Sequence, residues 1–343
     1  MKWHNIFFFV FLHFVVPVRS QEHFRMMFYN VENLFDCRDD SLKDDAEFLP
    51  ESERCWTRSR YWKKMNALSK VVAAVSDERI PDIIGVCEVE NDSVLYDWTR
   101  RSAMRTLGYR YVVTQSPDSR GVDVGLLYQP GQFRLLQHRE VPVPMPSSAR
   151  ATRNILYVKG LISSGDTLHV MVCHLPSRLG KRRESENRRG CAAKVLRDVA
   201  DSVFTATPDA KMVVMGDFNA NVGDRIFGTD LLDASSVSHD GQQRATRFYL
   251  LRSSSRLLRE VTGTYRYRGF WEVIDHFLLS PSLMKAKRGI SLMGTPQIVA
   301  FPFMYEQDTT YGGVRPFRTY NGPMYKGGFS DHFPIVADFE WSE

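Results

Sequence analysis

The stretch Val213-Val214-Met215-Gly216-Asp217-Phe218-Asn219-Ala220-Asn221 decides the kind of fold. With Met212 it opens on four apolar residues, which read as a buried strand. Gly216 lets the backbone turn tightly there. Asp217 and Asn219 are two apart, so on an extended chain they share a face. An acceptor-only carboxylate beside an amide can hold and polarise a water. Polar side chains set directly after a buried strand are how α/β proteins build sites.

Four further clusters repeat this arrangement. In Phe28-Tyr29-Asn30-Val31-Glu32-Asn33, Asn30 and Glu32 converge by the same spacing. In Ile83-Ile84-Gly85-Val86-Cys87-Glu88-Val89-Glu90, Glu88 is the first carboxylate after an apolar run. It needs a partner there, either a metal ion or an ordinary ion pair, and Glu90 shares its face as the rival. His174 ends Met171-Val172-Cys173, and Arg178, Lys181, Arg182, Arg183, Arg188 and Arg189 follow, against Glu184 and Glu186. A basic loop beside a histidine suits a phosphate ester, and Arg178 is expected nearest the site. Asp331 and His332 are adjacent, so both can face one site only where the last strand begins. Asp275 lies in the apolar run Val273–Leu279, where a carboxylate needs a client, and His332 is a natural one.

Outward from these clusters the pattern alternates strands with helices. Strands are expected at 24–29, 83–87, 109–114, 124–128, 155–162, 168–173, 211–215, 273–279 and 333–339. Tyr61, Met65, Leu68, Val72 and Val75 have helical spacing, as do Cys191, Ala192, Val195, Leu196, Val199 and Val203. Many strands and few helices imply two packed β-sheets with helices outside. The polar stretches 37–60, 220–260 and 305–328 read as surface loops.

The 343 residues are 43% hydrophobic and 25% charged, which excludes disorder, collagen and coiled coil for the whole chain. No internal run reaches the roughly 20 apolar residues of a membrane span. Residues 1–20 read as a secretory signal peptide: Lys2, then the apolar run Ile6 to Val16, then Val18-Arg19-Ser20 before the cut. The chain is therefore expected to be exported, secreted or periplasmic, with residues 21–343 as one catalytic domain and no lasting membrane anchor. Gln21 is not the cysteine of a lipoprotein. Loss of Lys2 and Arg19 lowers the net charge from +5 to +3, a mild balance that suits an anionic substrate. An oxidising compartment permits a Cys37–Cys55 bridge. Cys87 and Cys173 sit in apolar runs and read as small buried residues.

Taken in order, Tyr29-Asn30-Val31-Glu32-Asn33, Cys87-Glu88-Val89, His174-Leu175-Pro176-Ser177, Gly216-Asp217-Phe218-Asn219, Ile274-Asp275-His276-Phe277-Leu278-Leu279-Ser280 and Ser330-Asp331-His332-Phe333-Pro334-Ile335 resemble the motifs of the endonuclease/exonuclease/phosphatase superfamily. The resemblance runs from residue 30 to residue 332 and is deoxyribonuclease-I-like. It implies a four-layer α/β sandwich of two mixed sheets flanked by helices. It implies a Mg²⁺- or Mn²⁺-dependent phosphoesterase site along one rim. Glu88 resembles the main metal-binding glutamate, with Asn30, Glu32 and Asp331 completing or supporting its shell. Glu32 stands where many members carry aspartate. Asp217 and Asn219 resemble the pair that aligns water and binds phosphate. His332 resembles the histidine on the scissile phosphate, oriented by Asp275, and His174 matches the branch with histidine at that position.

The chemistry agrees. Oxygen ligands suit Mg²⁺ or Mn²⁺ better than zinc, and no Gly-x-Ser-x-Gly elbow offers a nucleophilic serine. One histidine can protonate the leaving oxygen, and His174 is the expected donor. The leading substrate is nucleic acid. Arg120, Arg178, Arg182, Arg266 and Tyr267 are the candidate contacts, arginines to phosphates and aromatics of Tyr265–Trp271 to bases. A phospholipid or inositol-phosphate esterase is the second reading, with Ala300–Tyr305 as its apolar loop. A non-catalytic binding protein is the third.

Overall fold

Thr57 caps the first helix by accepting from Arg60 N, an arrangement worth about 1 kcal/mol. The helix, α1 (Arg58–Val75), buries the expected stripe of Tyr61, Met65, Leu68, Val72 and Val75, and Lys64 with it. It follows β1 (Glu22–Leu34) and precedes β2 (Ile83–Val89), α2 (Asp92–Tyr96), β3 (Arg110–Val113) and β4 (Asp123–Tyr128). Next come β5 (Phe133–Val141), β6 (Ile155–Ile162), β7 (Thr167–His174), α3 (Arg182–Ala206) and β8 (Lys211–Asp217). Short strands β9 (Tyr249–Leu250) and β10 (Ser254–Ser255) precede the hairpin β11 (Tyr265–Tyr267) and β12 (Phe270–Glu272). The chain continues through β13 (Asp275–Leu279), α4 (Pro281–Met284) and β14 (Ser291–Ile298). Two small hairpins, β15 (Tyr305–Gln307) with β16 (Val314–Pro316) and β17 (Tyr320–Asn321) with β18 (Met324–Tyr325), lead to β19 (Ile335–Trp341). This computed structural model describes residues 22–76, 79–147, 149–231, 248–255, 257–284 and 288–341. The expected signal peptide lies outside the described residues.

Two large sheets form, in the orders β10-β14-β19-β1-β2-β4-β3 and β5-β6-β7-β8-β13-β9. Both are mixed: β1 runs parallel to β2, and β7 parallel to β8, among antiparallel neighbours. The sheets meet face to face. A Cβ on Gly85 of β2 would lie 2.5 Å from the Met215 sulfur of β8, so glycine permits that approach. The buried face of α1 joins the core around the first sheet. Ala192, Ala193, Leu196, Val199 and Ala200 of α3 cover the outer face of the second with Met171, Met212 and Val214. Helix, sheet, sheet and helix are the four layers expected. Burial of these stripes is the main drive for assembling them.

Register then places the motifs. The parallel pairs end together: Asn30 opposite Cys87 in one sheet, His174 opposite Asp217 in the other. The antiparallel β13 starts at that same rim, with Asp275 opposite Asp217. β19 pairs Ile335 with Phe28, so the residues just before it, Ser330 to His332, also reach the rim.

Three expectations are revised. All five cysteines are free thiols, so Cys37 and Cys55 form no bridge. Segments 37–60 and 305–328 are anchored, not loose: Phe48 and Trp56 are buried, and the latter segment carries two hairpins and the buried Thr319. Gly216 does not serve a left-handed turn; any Cβ there would collide with the Cys173 carbonyl of β7.

Candidate active site

The strand ends bend sharply where the motifs lie. Glu32, Asn33, Glu88 and Asn219 have left-handed backbone, with φ of 51°, 50°, 60° and 49°. Such conformations cost on the order of 1 kcal/mol or more each and concentrate at functional sites. Pairing shifts register between Asn30 and Leu34, and again between Cys87 and Val89. These bulges overturn the simple alternation of faces.

Glu88 and Glu90 therefore part company. Glu88 turns into the rim, where its Oε1 accepts from Asn30 Nδ2 at 3.1 Å and its Oε2 from Asn33 N at 3.0 Å. Glu90 turns away and accepts from Asp36 N at 2.6 Å. Burial, with Asp36 beside it, pushes Glu90 up to about 8.

Asn30 and Glu32 part in the same way. Asn30 Nδ2 also donates to Asp217 Oδ2 at 3.1 Å, so one amide joins the two carboxylates of opposite sheets. Glu32 does not reach them. Its carboxylate accepts from Arg318 Nε at 3.1 Å and Thr319 N at 2.7 Å, with Lys64 Nζ 3.6 Å away. Asp331 accepts from the same guanidinium at 2.9 Å. Two of the residues expected around the metal, Glu32 and Asp331, are thus drawn to one arginine.

Two imidazoles close the rim. His174 Nε2 lies 3.8 Å from Glu88 Oε1 and 3.7 Å from Asp217 Oδ2. His332 Nε2 lies 3.9 Å from Asp217 Oδ2, while its Nδ1 is 2.8 Å from Asp275 Oδ2. Their surroundings differ. Burial, then Arg153 and Arg120, hold His174 well below the usual histidine range. Burial would lower His332 too, but Asp275, then Asp331 and Asp217, raise it well above that range. These surroundings favour the neutral ring at His174 and the charged ring at His332. Burial, then Asp275, push Asp217 up to about 7.

Asn219 N donates to Asp217 Oδ1 at 2.8 Å, and its side-chain amide to Leu175 O at 3.0 Å, so it braces the buried Asp217 against the segment after His174. Arg178 reaches the site through backbone: its Nε donates to Asn219 O at 2.8 Å while Glu272 takes Nη1 at 2.6 Å. Arg120 stays half-exposed near His174, 3.7 Å from Asp118. Tyr267 is exposed on its hairpin.

Two expected contacts are misplaced. Arg266 is buried and spent on the Gly269, Gly312 and Val314 carbonyls and on Asp308, so it locks the hairpin and offers no charge to a phosphate. Arg182 pairs with Glu186 on the exposed start of α3.

Sequence reading missed Arg153, Lys64 and Arg318. Arg153 is buried against Asp118 at 2.9 Å and donates to the His174 and Leu175 carbonyls. Lys64 could have been found, since a lysine between Tyr61 and Leu68 breaks an apolar helical stripe.

Glu88 and Asp217, with Asn30 between them, could hold a divalent ion at one end of this rim. Among the described residues, the basic side chains within 4 Å of the Glu88 and Asp217 carboxylates are imidazoles alone. Two carboxylates sharing one amide are a hard, oxygen-rich donor set. Asp217, Asp275 and His332 also bring one ligand atom each within 4.8 Å of one another and could hold an ion. The 2.8 Å bond between His332 and Asp275 suits proton holding instead.

Residues 25–340 match the sequence model of the endonuclease/exonuclease/phosphatase family. A protein of that family from Bacteroides thetaiotaomicron superposes with a TM-score of 0.59 and 13% identity, over 94% of this chain and 99% of that one. A mannosyl-6-phosphatase of Bacteroides thetaiotaomicron VPI-5482 gives 0.57 and 15%, over 92% and 99%. D. rerio TDP2 complexed with single-strand DNA product gives 0.53 and 14%, over 92% and 98%. No curated protein matches the chain. These structural likenesses establish the same fold. With the match across nearly its whole length, the chain belongs to the endonuclease/exonuclease/phosphatase family of phosphoesterase hydrolases.

Proposed function

We propose that the chain is an exported, Mg²⁺- or Mn²⁺-dependent phosphodiesterase that cleaves nucleic acid. The observation that carries the reading is the bridge of Asn30 between Glu88 and Asp217, with His174 Nε2 3.7 Å and His332 Nε2 3.9 Å from the same Asp217 oxygen. Glu88 and Asp217 would hold the ion, with Asn30 positioning both carboxylates. When bound, it supplies a Lewis acid that neutralises charge on the phosphate oxygens.

The side chains do the rest. Asp217, braced by Asn219, orients the attacking water. His332 keeps its Nδ1 proton on Asp275 and presents Nε2 to the phosphate, where it can give a proton to the leaving oxygen. This reverses the expected division, because burial and Arg153 disfavour a proton on His174 while Asp275 favours one on His332. His174 accepts or orients, and Arg153 fixes its backbone.

Nucleic acid is favoured over smaller esters by the β11–β12 hairpin. Tyr265 bridges to His332, with the two rings 4.9 Å apart. Alternation puts Tyr267 on the face of Tyr265, and pairing puts Phe270 beside it. Both are exposed, at 53% and 76%, and Arg268 lies over Tyr267. A rigid aromatic shelf leading away from the phosphate site, with a cation at its tip, supports stacking of bases. Export and cleavage after Ser20 belong to the same reading; the mature amino terminus would then be Gln21.

Incubation of the purified chain with plasmid DNA, RNA, sphingomyelin, inositol phosphates and mannose 6-phosphate, in Mg²⁺ and in EDTA, tests the proposal. Cleavage of a nucleic acid in Mg²⁺ alone is expected. Intact nucleic acids beside a hydrolysed lipid or sugar phosphate would replace it with that substrate.

A further inference from the structure

Glu32 and Asp331 form the second acidic end of the rim, and the chain has filled it. Arg318 comes from the segment between β16 and β17 and lies between them, with Nε 3.1 Å from Glu32 Oε1 and Nη2 2.9 Å from Asp331 Oδ2. Lys64, fully buried, donates to Glu32 O at 2.6 Å, Thr319 Oγ1 at 2.5 Å and Phe329 O at 3.2 Å, and stands 3.6 Å from Glu32 Oε2. Two carboxylates therefore face the Arg318 guanidinium and the Lys64 amine at this end. At the other end, among the described residues, Glu88 and Asp217 meet imidazoles, the Asn30 amide and the backbone N–H groups of Asn33 and Asn219, with no arginine or lysine paired to them. The two ends carry the same kind of anion and opposite provision for it.

We propose that Arg318 is the chain's own cation between Glu32 and Asp331, so that the rim takes a single divalent ion, at Glu88 and Asp217. The inference rests on the metal-dependent reading above. An ion seated on Asp331 would have to displace a half-exposed guanidinium from its pairing with two largely buried carboxylates, which are the groups that lose a partner. Arg318 cannot escape by losing its proton, because Asp331 and Glu32 raise it further above its ordinary value. Asp331 is held low by Arg318 against the opposing effect of burial, as befits a carboxylate already in an ion pair. The pair also has a mechanical consequence. Ser330 Oγ donates to Asn30 O at 2.7 Å, and His332 N donates to Ser330 Oγ at 3.1 Å. Arg318 thus ties the segment bearing His332 to the end of β1, a task that a dissociable ion would perform only when bound.

Titration of the full chain with Mn²⁺, read by electron paramagnetic resonance, counts the ions without reference to turnover. One ion per chain is expected. Glu88→Gln should weaken it by about tenfold or more, whereas Asp331→Asn should leave its affinity near that of the wild type. Arg318→Ala should admit a second, weaker ion that Asp331→Asn then removes, and Arg318→Lys should keep the count at one. Two ions on the wild-type chain, loss of the single ion in Asp331→Asn, or a single ion in a folded Arg318→Ala chain would overturn the inference. Should Arg318→Ala fail to fold, the other variants decide alone. A wild-type chain that takes no ion would instead remove the metal-dependent reading, and this inference with it.

Discussion

His332 Nδ1 and Asp275 Oδ2 lie 2.8 Å apart, and both side chains are buried. The carboxylate belongs to β13 and the imidazole to the segment just before the last strand, so two distant parts of the chain fix one ring orientation. Asp275→Asn should therefore lose rate much as His332→Ala does, by about 10²–10⁴-fold. Steady-state kinetics of the two variants and their double mutant check this. Near-additive losses in the double mutant would mean that the residues do not act as a unit.

The two histidines should fail differently. Asp275 favours a proton on His332, whereas burial and Arg153 disfavour one on His174. A nitrophenyl phosphodiester, which needs little help in departure, should partly rescue His332→Ala and leave His174→Ala impaired. Rescue of His174→Ala alone would return the acid role to that residue.

The rival carboxylates can be separated by stability. Burial raises Glu90 to about 8, so the folded chain binds its proton more tightly than the unfolded one. That contribution is complete below the ordinary glutamate value and fades as pH rises through about 8. Glu90→Gln should match the wild-type melting temperature near pH 5, exceed it near pH 9, and keep activity. A melting difference that does not change with pH would contradict the argument.

The hairpin prediction concerns binding. Base stacking on an aromatic side chain is worth about 1–3 kcal/mol. Tyr267→Ala with Phe270→Ala should raise KM for an oligonucleotide by about tenfold or more on that scale and leave KM for a nitrophenyl diester unchanged. Equal effects on both substrates would show that the hairpin only supports the fold.

Much of this architecture was readable because its signals are local. Apolar runs such as Ile155–Ile162 are strands in the structure with the same limits. β5 was invisible, since Phe133–Val141 is an edge strand with mostly exposed polar residues. β14 hid behind Gly294 and Pro296, which sit at a register shift between Met293 and Gln297. The candidate site was legible as a set of strand ends, but the direction of each side chain was not. Alternation treats Glu88 with Glu90, and Asn30 with Glu32, as pairs on one face. Bulges and left-handed residues separate both pairs. Arg318 left no signal, because its partners Glu32 and Asp331 lie 286 and 13 positions away.

The central claim is that Glu88 holds a divalent ion on which phosphodiester cleavage depends. Single-turnover cleavage of an oligonucleotide, followed across a Mg²⁺ titration, measures it in wild type and Glu88→Gln. The account predicts that wild-type cleavage saturates with Mg²⁺ and stops in EDTA, while the variant, folded alike, needs far more Mg²⁺ and stays slower by about 10²-fold or more. Wild-type rates in Glu88→Gln at equal Mg²⁺, or cleavage that persists in EDTA, would contradict it.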